Sequence, residues 1–118
     1  MIMGLRSLFG KSYATITPEE AERQLASGAI LIDVRSAREF ANGHAPAARN
    51  IPLEQIAGRA HELPNDAPIV TICHSGARSA IAARSLAKHG HTVSSLRGGT
   101  TAWIAAGLPT SKKSTSKK

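Results

Sequence analysis

The segment "CHSGARS" holds the only cysteine of the chain, Cys73, and an arginine, Arg78, five positions after it. A cysteine attacks a substrate as its thiolate, and a free thiol is mostly protonated at neutral pH. Two features favour the thiolate at Cys73: the unpaired N–H groups of a helix predicted to begin near Ala77, and the charge of Arg78. The spacing therefore predicts a nucleophile at Cys73, which we expect to be ionised and reachable by solvent.

The residues after Cys73 have the properties of an anion-binding loop. Gly76 lets the backbone curl so that successive N–H groups point inward, and serine hydroxyls on either side add donors. The candidate substrate-binding residues are His74, Ser75, Gly76, Ala77, Arg78 and Ser79. Two questions stay open at this point. Cys73 could equally be a small buried residue that ends a strand, and His74 either assists proton movement or lines the loop with its backbone.

Strands and helices alternate along the chain. Strands are predicted from the apolar runs "AILIDV", "APIVTIC" and "TVSSL", with "YATI" as a short edge strand. Helices are predicted from "TITPEEAERQLASG", "SAREFANG", "EQIAGRAHEL", "ARSAIAARSLAKHG" and "TTAWIAAG". This order is typical of βαβ units and predicts a parallel sheet covered on both faces.

The predicted sheet brings distant segments together. Ligands of such sheets bind beyond the carboxyl ends of the strands. Cys73, the segment 33–35 and the segment 97–99 each follow a predicted strand, so we expect them to meet at one edge. We expect Gly98 and Gly99 to form a flexible turn near this pocket.

Charge is distributed unevenly along the chain. Its 118 residues are enough to form one domain with a hydrophobic core. All eight acidic residues lie at or before Asp66, and the net charge is +7. The part of the chain that contains Cys73 is therefore cationic in sequence and is expected to attract a small anion. The tail "SKKSTSKK" lacks aromatic residues and a basic helix face, so no specific nucleic-acid binding is predicted.

Composition also limits the chemistry and the compartment. The five histidines show no ligand spacing with acids or with the cysteine, so no metal is predicted. No apolar run approaches the roughly 18 residues of a transmembrane segment. A single cysteine cannot form an internal disulfide, which fits a reducing compartment and leads us to expect a cytoplasmic protein.

Three segments together, "LIDVRSAREFANGHAPAARNIPL", "CHSGARSA" and "GGTTAW", resemble the single-domain form of the rhodanese-like (thiosulfate sulfurtransferase) family over about residues 14–108. The resemblance implies a three-layer α/β/α domain with a central, mainly parallel sheet of four to five strands. It divides the chain into an N-terminal extension (1–12), the rhodanese-like domain (13–109) and a disordered basic tail (110–118).

The resemblance also implies roles for single residues. Cys73 would carry a persulfide, and residues 74–78 would form the sulfur-binding loop. Asp33 and Arg35 match the family's "DVR" and are expected as secondary rim residues that hold the neighbouring loop. Arg35 is then either a second anion contact or the partner of Glu39. His44 is expected to make a structural hydrogen bond, and we expect Trp103 in the core.

The length of the loop distinguishes between reaction types. Related phosphatases and arsenate reductases place their arginine one position further from the cysteine. Their longer loop wraps around a tetrahedral oxyanion. The resemblance therefore implies sulfur transfer from a small anionic donor, thiosulfate or a persulfide, to an external thiol or cyanide, without a cofactor. Two alternatives remain: a persulfide carrier that serves a sulfur-relay partner protein, and, less favoured, a small phosphatase or arsenate reductase.

Overall fold

The computed structural model describes residues 12–112, which fold as an α/β domain around one sheet. Within this range five strands pair in the spatial order β1-β5-β4-β2-β3, and every pairing is parallel. The strands are β1 (Ala14–Ile16), β2 (Ile30–Asp33), β3 (Arg49–Asn50), β4 (Ile69–Ile72) and β5 (Val93–Leu96). The predicted fold class is confirmed, including the edge strand in "YATI".

Five α-helices connect the strands in the described part of the chain. They are α1 (Pro18–Ala26), α2 (Ala37–Ala41), α3 (Ile56–Arg59), α4 (Ala77–Lys88) and α5 (Gly99–Ala105). The continuous helix predicted from "EQIAGRAHEL" is instead the single turn α3 between two 3₁₀ turns, Leu53–Gln55 and Ala60–Glu62. Gly58, in the middle of this segment, disfavours a longer helix. None of the helices within residues 12–112 is long and apolar enough to cross a membrane.

Strand β3 is absent from the predictions because two residues are too few to give a periodic pattern. It exists because Ile32 and Asp33 of β2 pair with Arg49 and Asn50. The side-chain amide of Asn50 also donates to the backbone oxygens of Asp33 and Arg35, both at 3.0 Å. These contacts fix the chain that follows β2, next to the edge where the predicted site lies.

Helices cover both faces of the sheet, as the sequence predicts. One core cluster joins α3 and α4 to the sheet through Ile56, Leu86 and Ile69. The other joins α1, α2 and α5 to the opposite face and includes Ala21, Phe40, Val70, Ile72 and Trp103. Trp103 is therefore in the core, as predicted. Because side chains of a strand alternate between faces, Ile72 belongs to the second cluster and Cys73 to the first.

Residues just past the predicted domain boundary contact the rest of the chain. His44 and Ser111 exchange two backbone hydrogen bonds, of 2.9 and 2.7 Å, in an antiparallel bridge. The Trp103 indole N–H donates to Pro109 O at 2.7 Å. Chain pairing thus continues to Ser111, and the boundary after residue 109 stays a prediction. Residues 1–11 of the predicted extension and 113–118 of the predicted tail lie outside the described residues.

Candidate active site

Cys73 directly follows β4 at the carboxyl edge of the sheet, where the chain turns into α4. Gly76 is the N-cap of α4 and has φ 112° and ψ −16°, a left-handed conformation that favours glycine. In this turn the Gly76 N–H donates a hydrogen bond to Cys73 Sγ, with 3.0 Å between N and S. A backbone donor aimed at the sulfur stabilises negative charge on it.

The sulfur is not open to solvent, and that prediction is wrong. Cys73 is only 1% exposed and packs within the first core cluster. The alternation along β4 directs its side chain towards the face that α4 covers, beneath the loop. His74 and Ser75, which follow it, are exposed and form the outer surface of the turn.

The N-terminus of α5 holds two carbonyl groups of the loop. The backbone N–H and the hydroxyl of Thr100 donate to Cys73 O, at 2.7 and 3.0 Å, and the Thr101 N–H donates to His74 O at 3.2 Å. In a trans peptide the N–H points opposite to the C=O, and no described peptide bond is cis. The N–H groups of His74 and Ser75 therefore point away from α5. Sequence reasoning missed both threonines, and only their position after "RGG" hinted at them.

Gly99 is required by close packing and not only by the flexibility predicted for it. A Cβ atom there would overlap Cys73 O and lie 2.6 Å from both C and O of His74. Its φ is +60°, in the left-handed region. Gly76 is also closely packed, since a Cβ on it would lie 3.2 Å from Gly98 N. The absence of side chains at these glycines lets α5 approach the loop.

Arg78 is already paired in the folded protein. Its two terminal nitrogens donate to the two carboxylate oxygens of Glu39, at 2.8 and 2.9 Å. Sequence analysis predicts Arg78 as a contact for the donor anion, and the structure gives that position to a carboxylate of α2. The partner lies 39 positions away in sequence, so no local pattern pointed to it.

Glu39 is held in place from two sides. Besides Arg78, its carboxylate accepts from the Ser36 N–H at 3.0 Å, and the Ser36 hydroxyl accepts from the Glu39 N–H at 3.1 Å. This is the capping box that begins α2. The hydrogen bonds from Arg78, and then that from Ser36, lower the pKa of Glu39 to about 2. In turn, the hydrogen bonds to Glu39 raise the pKa of Arg78, with smaller contributions from Cys73 and Asp33.

Asp33 and Arg35 form a second ion pair at the same edge, and this pair is buried. Arg35 Nε and Nη2 donate to the Asp33 carboxylate at 2.8–3.2 Å, and Nη2 also donates to Gly43 O at 2.7 Å. These contacts match the predicted role of holding the neighbouring loop. The alternative pairing of Arg35 with Glu39 is wrong, because Asp33 is closer along the chain and Glu39 is bound to Arg78.

Ser79 has a different place from the one predicted. It is fully buried, its hydroxyl lies 3.0 Å from Gly76 O and 2.9 Å from Ser95 Oγ, and it therefore braces the loop from below instead of facing an anion. Ala77 is exposed at the start of α4. His44 is buried, stacks on Phe40 with ring centroids 3.7 Å apart, and has Nδ1 2.9 Å from Ala45 O, a structural arrangement as predicted.

A cavity of about 240 Å³ opens beside the loop, between α2 and α5. Its lining is mixed in chemistry: two charged side chains, three threonines, an asparagine, a histidine, a glycine and an isoleucine. These are Arg35, Glu39, Thr100, Thr101, Thr110, Asn42, His74, Gly43 and Ile104. Ile104 is 57% exposed and gives the cavity an apolar wall. His74, which follows the candidate nucleophile, lines the same cavity.

Comparison with known proteins gives consistent matches. The family model "Rhodanese-like domain" matches residues 17–106. A sulfurtransferase from Allochromatium vinosum is 39% identical over 97 residues, which are 80% of this chain and 91% of that protein. Thiosulfate sulfurtransferase GlpE from Haemophilus influenzae is 32% identical over 99 residues, 83% of this chain and 94% of that protein.

The fold has solved counterparts as well. The crystal structure of a rhodanese-related protein from Thermoplasma volcanium superimposes with a TM-score of 0.80 at 27% identity. The superposition covers 86% of this chain and 100% of that one. The match to the family model includes strands β2 to β5 and the whole loop after Cys73.

Proposed function

Because the chain belongs to the rhodanese-like domain family, we propose that it is a sulfurtransferase in which Cys73 carries the transferred sulfur. The donor is thiosulfate or a persulfide, and the acceptor is a thiol or cyanide. The names of the two sulfurtransferase relatives support the reaction class. The observation that carries the proposal is the Gly76 N–H, which donates to Cys73 Sγ inside a loop held by α5.

The reaction takes two displacement steps at sulfur. With thiosulfate, the Cys73 thiolate attacks the outer sulfur, the Sγ–S bond forms, the S–S bond of the donor breaks, and sulfite leaves with its electron pair. An external thiophile then attacks the outer sulfur of the persulfide, and the Cys73 thiolate is recovered. Charge balances in both steps without an oxidant. The Gly76 N–H stabilises the anionic sulfur before and after each transfer.

Burial of Cys73 sets a condition on the first step. The donor contacts Sγ only after His74 and Ser75 shift outward, since these residues are the exposed part of the loop above a sulfur that is 1% exposed. Gly76, with its positive φ, is the position where this turn can change conformation at least cost. The outward shift breaks the hydrogen bond from the Thr101 N–H to His74 O, while the two hydrogen bonds from Thr100 keep the Cys73 carbonyl in place.

The acceptor is external because the chain has no second cysteine. A persulfide on Cys73 therefore cannot be released as an internal disulfide. A small thiol, cyanide or a thiol on a sulfur-relay partner protein takes the sulfur.

Intact mass spectrometry tests the proposal. Incubation with excess thiosulfate or with cysteine persulfide should add one sulfur atom, about 32 Da, to the protein, and cyanide should remove it. Cys73→Ser is the matched control and should gain no mass. An unchanged mass with both donors, or an adduct that persists in Cys73→Ser, would contradict the assignment of Cys73.

A further inference from the structure

The two arginines predicted as anion contacts are already bound to carboxylates. Both terminal nitrogens of Arg78 donate to Glu39, and the pKa of Glu39, about 2, keeps that carboxylate charged at neutral pH. Arg35 is bound to Asp33. It lines the cavity between α2 and α5, which pack on the opposite face of the sheet from the Cys73 side chain. An anionic donor therefore meets two arginines whose charge is neutralised.

Arg97 is an exposed cation at the same edge of the sheet. It directly follows β5, and β5 is the strand next to β4. Its side chain makes no hydrogen bond or ion pair with any residue between 12 and 112. Its backbone N–H donates to Ile16 O at 2.8 Å. The main chain of Arg97 is thus fixed in the sheet, while its guanidinium is left for a ligand.

The register of the central strands brings Arg97 beside Cys73. Strands β4 and β5 pair in parallel with Thr71 opposite Ser95. Continued by two residues, this register places Cys73 opposite Arg97, with neighbouring strands about 4.8 Å apart. A long arginine side chain can span that distance. The cation that follows β5 is therefore within reach of the loop that follows β4.

The side chains of Arg97 and Cys73 also leave the sheet on the same face. Ser95 Oγ lies 2.9 Å from Ser79 Oγ of α4, so the Ser95 side chain points to the α4 face. Because side chains of a strand alternate between faces, Arg97, two residues later, is directed to that face as well. Cys73 belongs to the core cluster that α4 covers. Arg97 is thus on the correct side for a group bound at Sγ.

The chain that follows Arg97 is packed against the loop. A Cβ atom on Gly76, the residue that donates to Sγ, would lie 3.2 Å from Gly98 N. Two residues further on, the Thr100 N–H donates to Cys73 O at 2.7 Å. These backbone contacts hold the position of Arg97 relative to the sulfur, so its charge is delivered at a defined place.

We propose that Arg97 is the residue that binds the negative charge of the sulfur donor, in place of Arg78. The inference rests on the proposed function, since it adds a binding residue to the same reaction. Thiosulfate meets Sγ with its outer sulfur, and its sulfonate group stays at the surface of the loop, where Arg97 is exposed. The same group carries charge in the donor and in the departing sulfite, so Arg97 acts on binding more than on the chemical step.

Steady-state kinetics on the full-length protein test the inference. Arg97→Gln should lower kcat/KM for thiosulfate about fivefold, mainly through a higher KM, because an exposed ion pair is lost. Arg97→Lys keeps the charge and should stay within about twofold of wild type. In about 0.5 M NaCl the difference between wild type and Arg97→Gln should shrink, because salt screens the interaction. The value of kcat/KM for 2-mercaptoethanol, an uncharged acceptor, should not change in either variant.

Arg84→Gln is the matched control. Arg84 is exposed on α4, about 9 Å further along its axis than Arg78. This distance exceeds the roughly 8 Å over which charges act in physiological salt. Arg84 forms no ion pair with a residue of the described range 12–112. The same change of net charge there should leave KM for thiosulfate unchanged.

The outcomes separate failure of this inference from failure of the proposed function. If Cys73 gains sulfur but Arg97→Gln leaves KM for thiosulfate unchanged, or Arg84→Gln raises it equally, Arg97 does not bind the donor. An equal loss with the uncharged acceptor would show that Arg97 only supports the loop. If wild type takes sulfur from cysteine persulfide and not from thiosulfate, the inference is also wrong. If neither donor adds sulfur to Cys73, the proposed function itself is wrong.

Discussion

At the scale of single residues, Glu39 links the start of a helix to the active-site loop. Its carboxylate accepts from the Ser36 N–H within the capping box and from both terminal nitrogens of Arg78. The Glu39 side chain thus completes the capping box of α2 and also joins α2 to Arg78 in the first turn of α4. A change at Glu39 is therefore expected to alter both the charge near Cys73 and the stability of the domain.

The first residue-scale prediction concerns acid stability. The pKa of Glu39 is about 2 in the folded protein, against 4.5 for the free side chain. Between these values the unfolded chain is protonated and the folded chain is not, so stability from this group is present above pH 4.5 and is lost as pH falls towards 2. Because the side chain is 39% exposed, we expect at most about 1 kcal/mol.

Urea unfolding of wild type and Glu39→Gln across this range measures the effect. The difference in free energy of unfolding should be constant between pH 6 and 8 and should shrink from about pH 5 downward. A difference that stays constant down to pH 3 would show that Arg78 does not hold Glu39 in solution.

At the scale of elements, α5 is the support of the loop. Its first turn donates three hydrogen bonds to the carbonyls of Cys73 and His74. This approach is possible because Gly99 has no side chain. The functional geometry of the loop after β4 therefore depends on a helix that follows β5.

Gly99→Ala tests this support. The new Cβ would overlap backbone atoms of Cys73 and His74 at a positive φ, so we expect a loss of about 3 kcal/mol or more in unfolding free energy. Gly107→Ala, just after the same helix, is the control. It has φ +82° but nothing within 4 Å of the added Cβ, so it should cost only about 1–2 kcal/mol. Equal losses, measured by chemical denaturation, would mean that packing against the loop is not tight.

At the scale of the whole molecule, β4 lies at the centre of the sheet and its residues are all buried. The candidate nucleophile follows this central strand, so its position is set by both core clusters. Much further along the chain, Ser111 pairs with His44, two residues past the domain boundary predicted at residue 109. That bridge joins the segment between α2 and β3, which contains His44, to the chain that follows α5.

Truncation tests the boundary. A chain that ends at Pro109 loses the two backbone hydrogen bonds between His44 and Ser111, and we expect it to be about 2 kcal/mol less stable to urea. A chain that ends at Lys112 keeps them and serves as the control, with the stability of the full chain. If both truncated chains unfold at the same urea concentration as the full chain, the bridge contributes nothing and the domain ends earlier.

Local sequence patterns were enough to predict most of the strands and helix starts of this protein. The apolar runs of β2, β4 and β5 and the caps at Thr17 and Ser36 are readable because each depends on neighbours within a few residues. The same holds for Cys73 at a strand end, followed by Gly76 and a helix. Strand-to-helix alternation then implies the parallel sheet and the shared edge, since parallel connections leave few other arrangements.

Tertiary structure alone decided the charge and the exposure of the site. The sequence places all acids before the cysteine, yet folding brings Glu39 to Arg78, 39 positions away. Likewise, the burial of Cys73 depends on which face of the sheet its side chain takes and on what α4 covers. Sequence determines what a residue does within a few positions, whereas pairing and burial arise from contacts between segments that only the complete fold brings together.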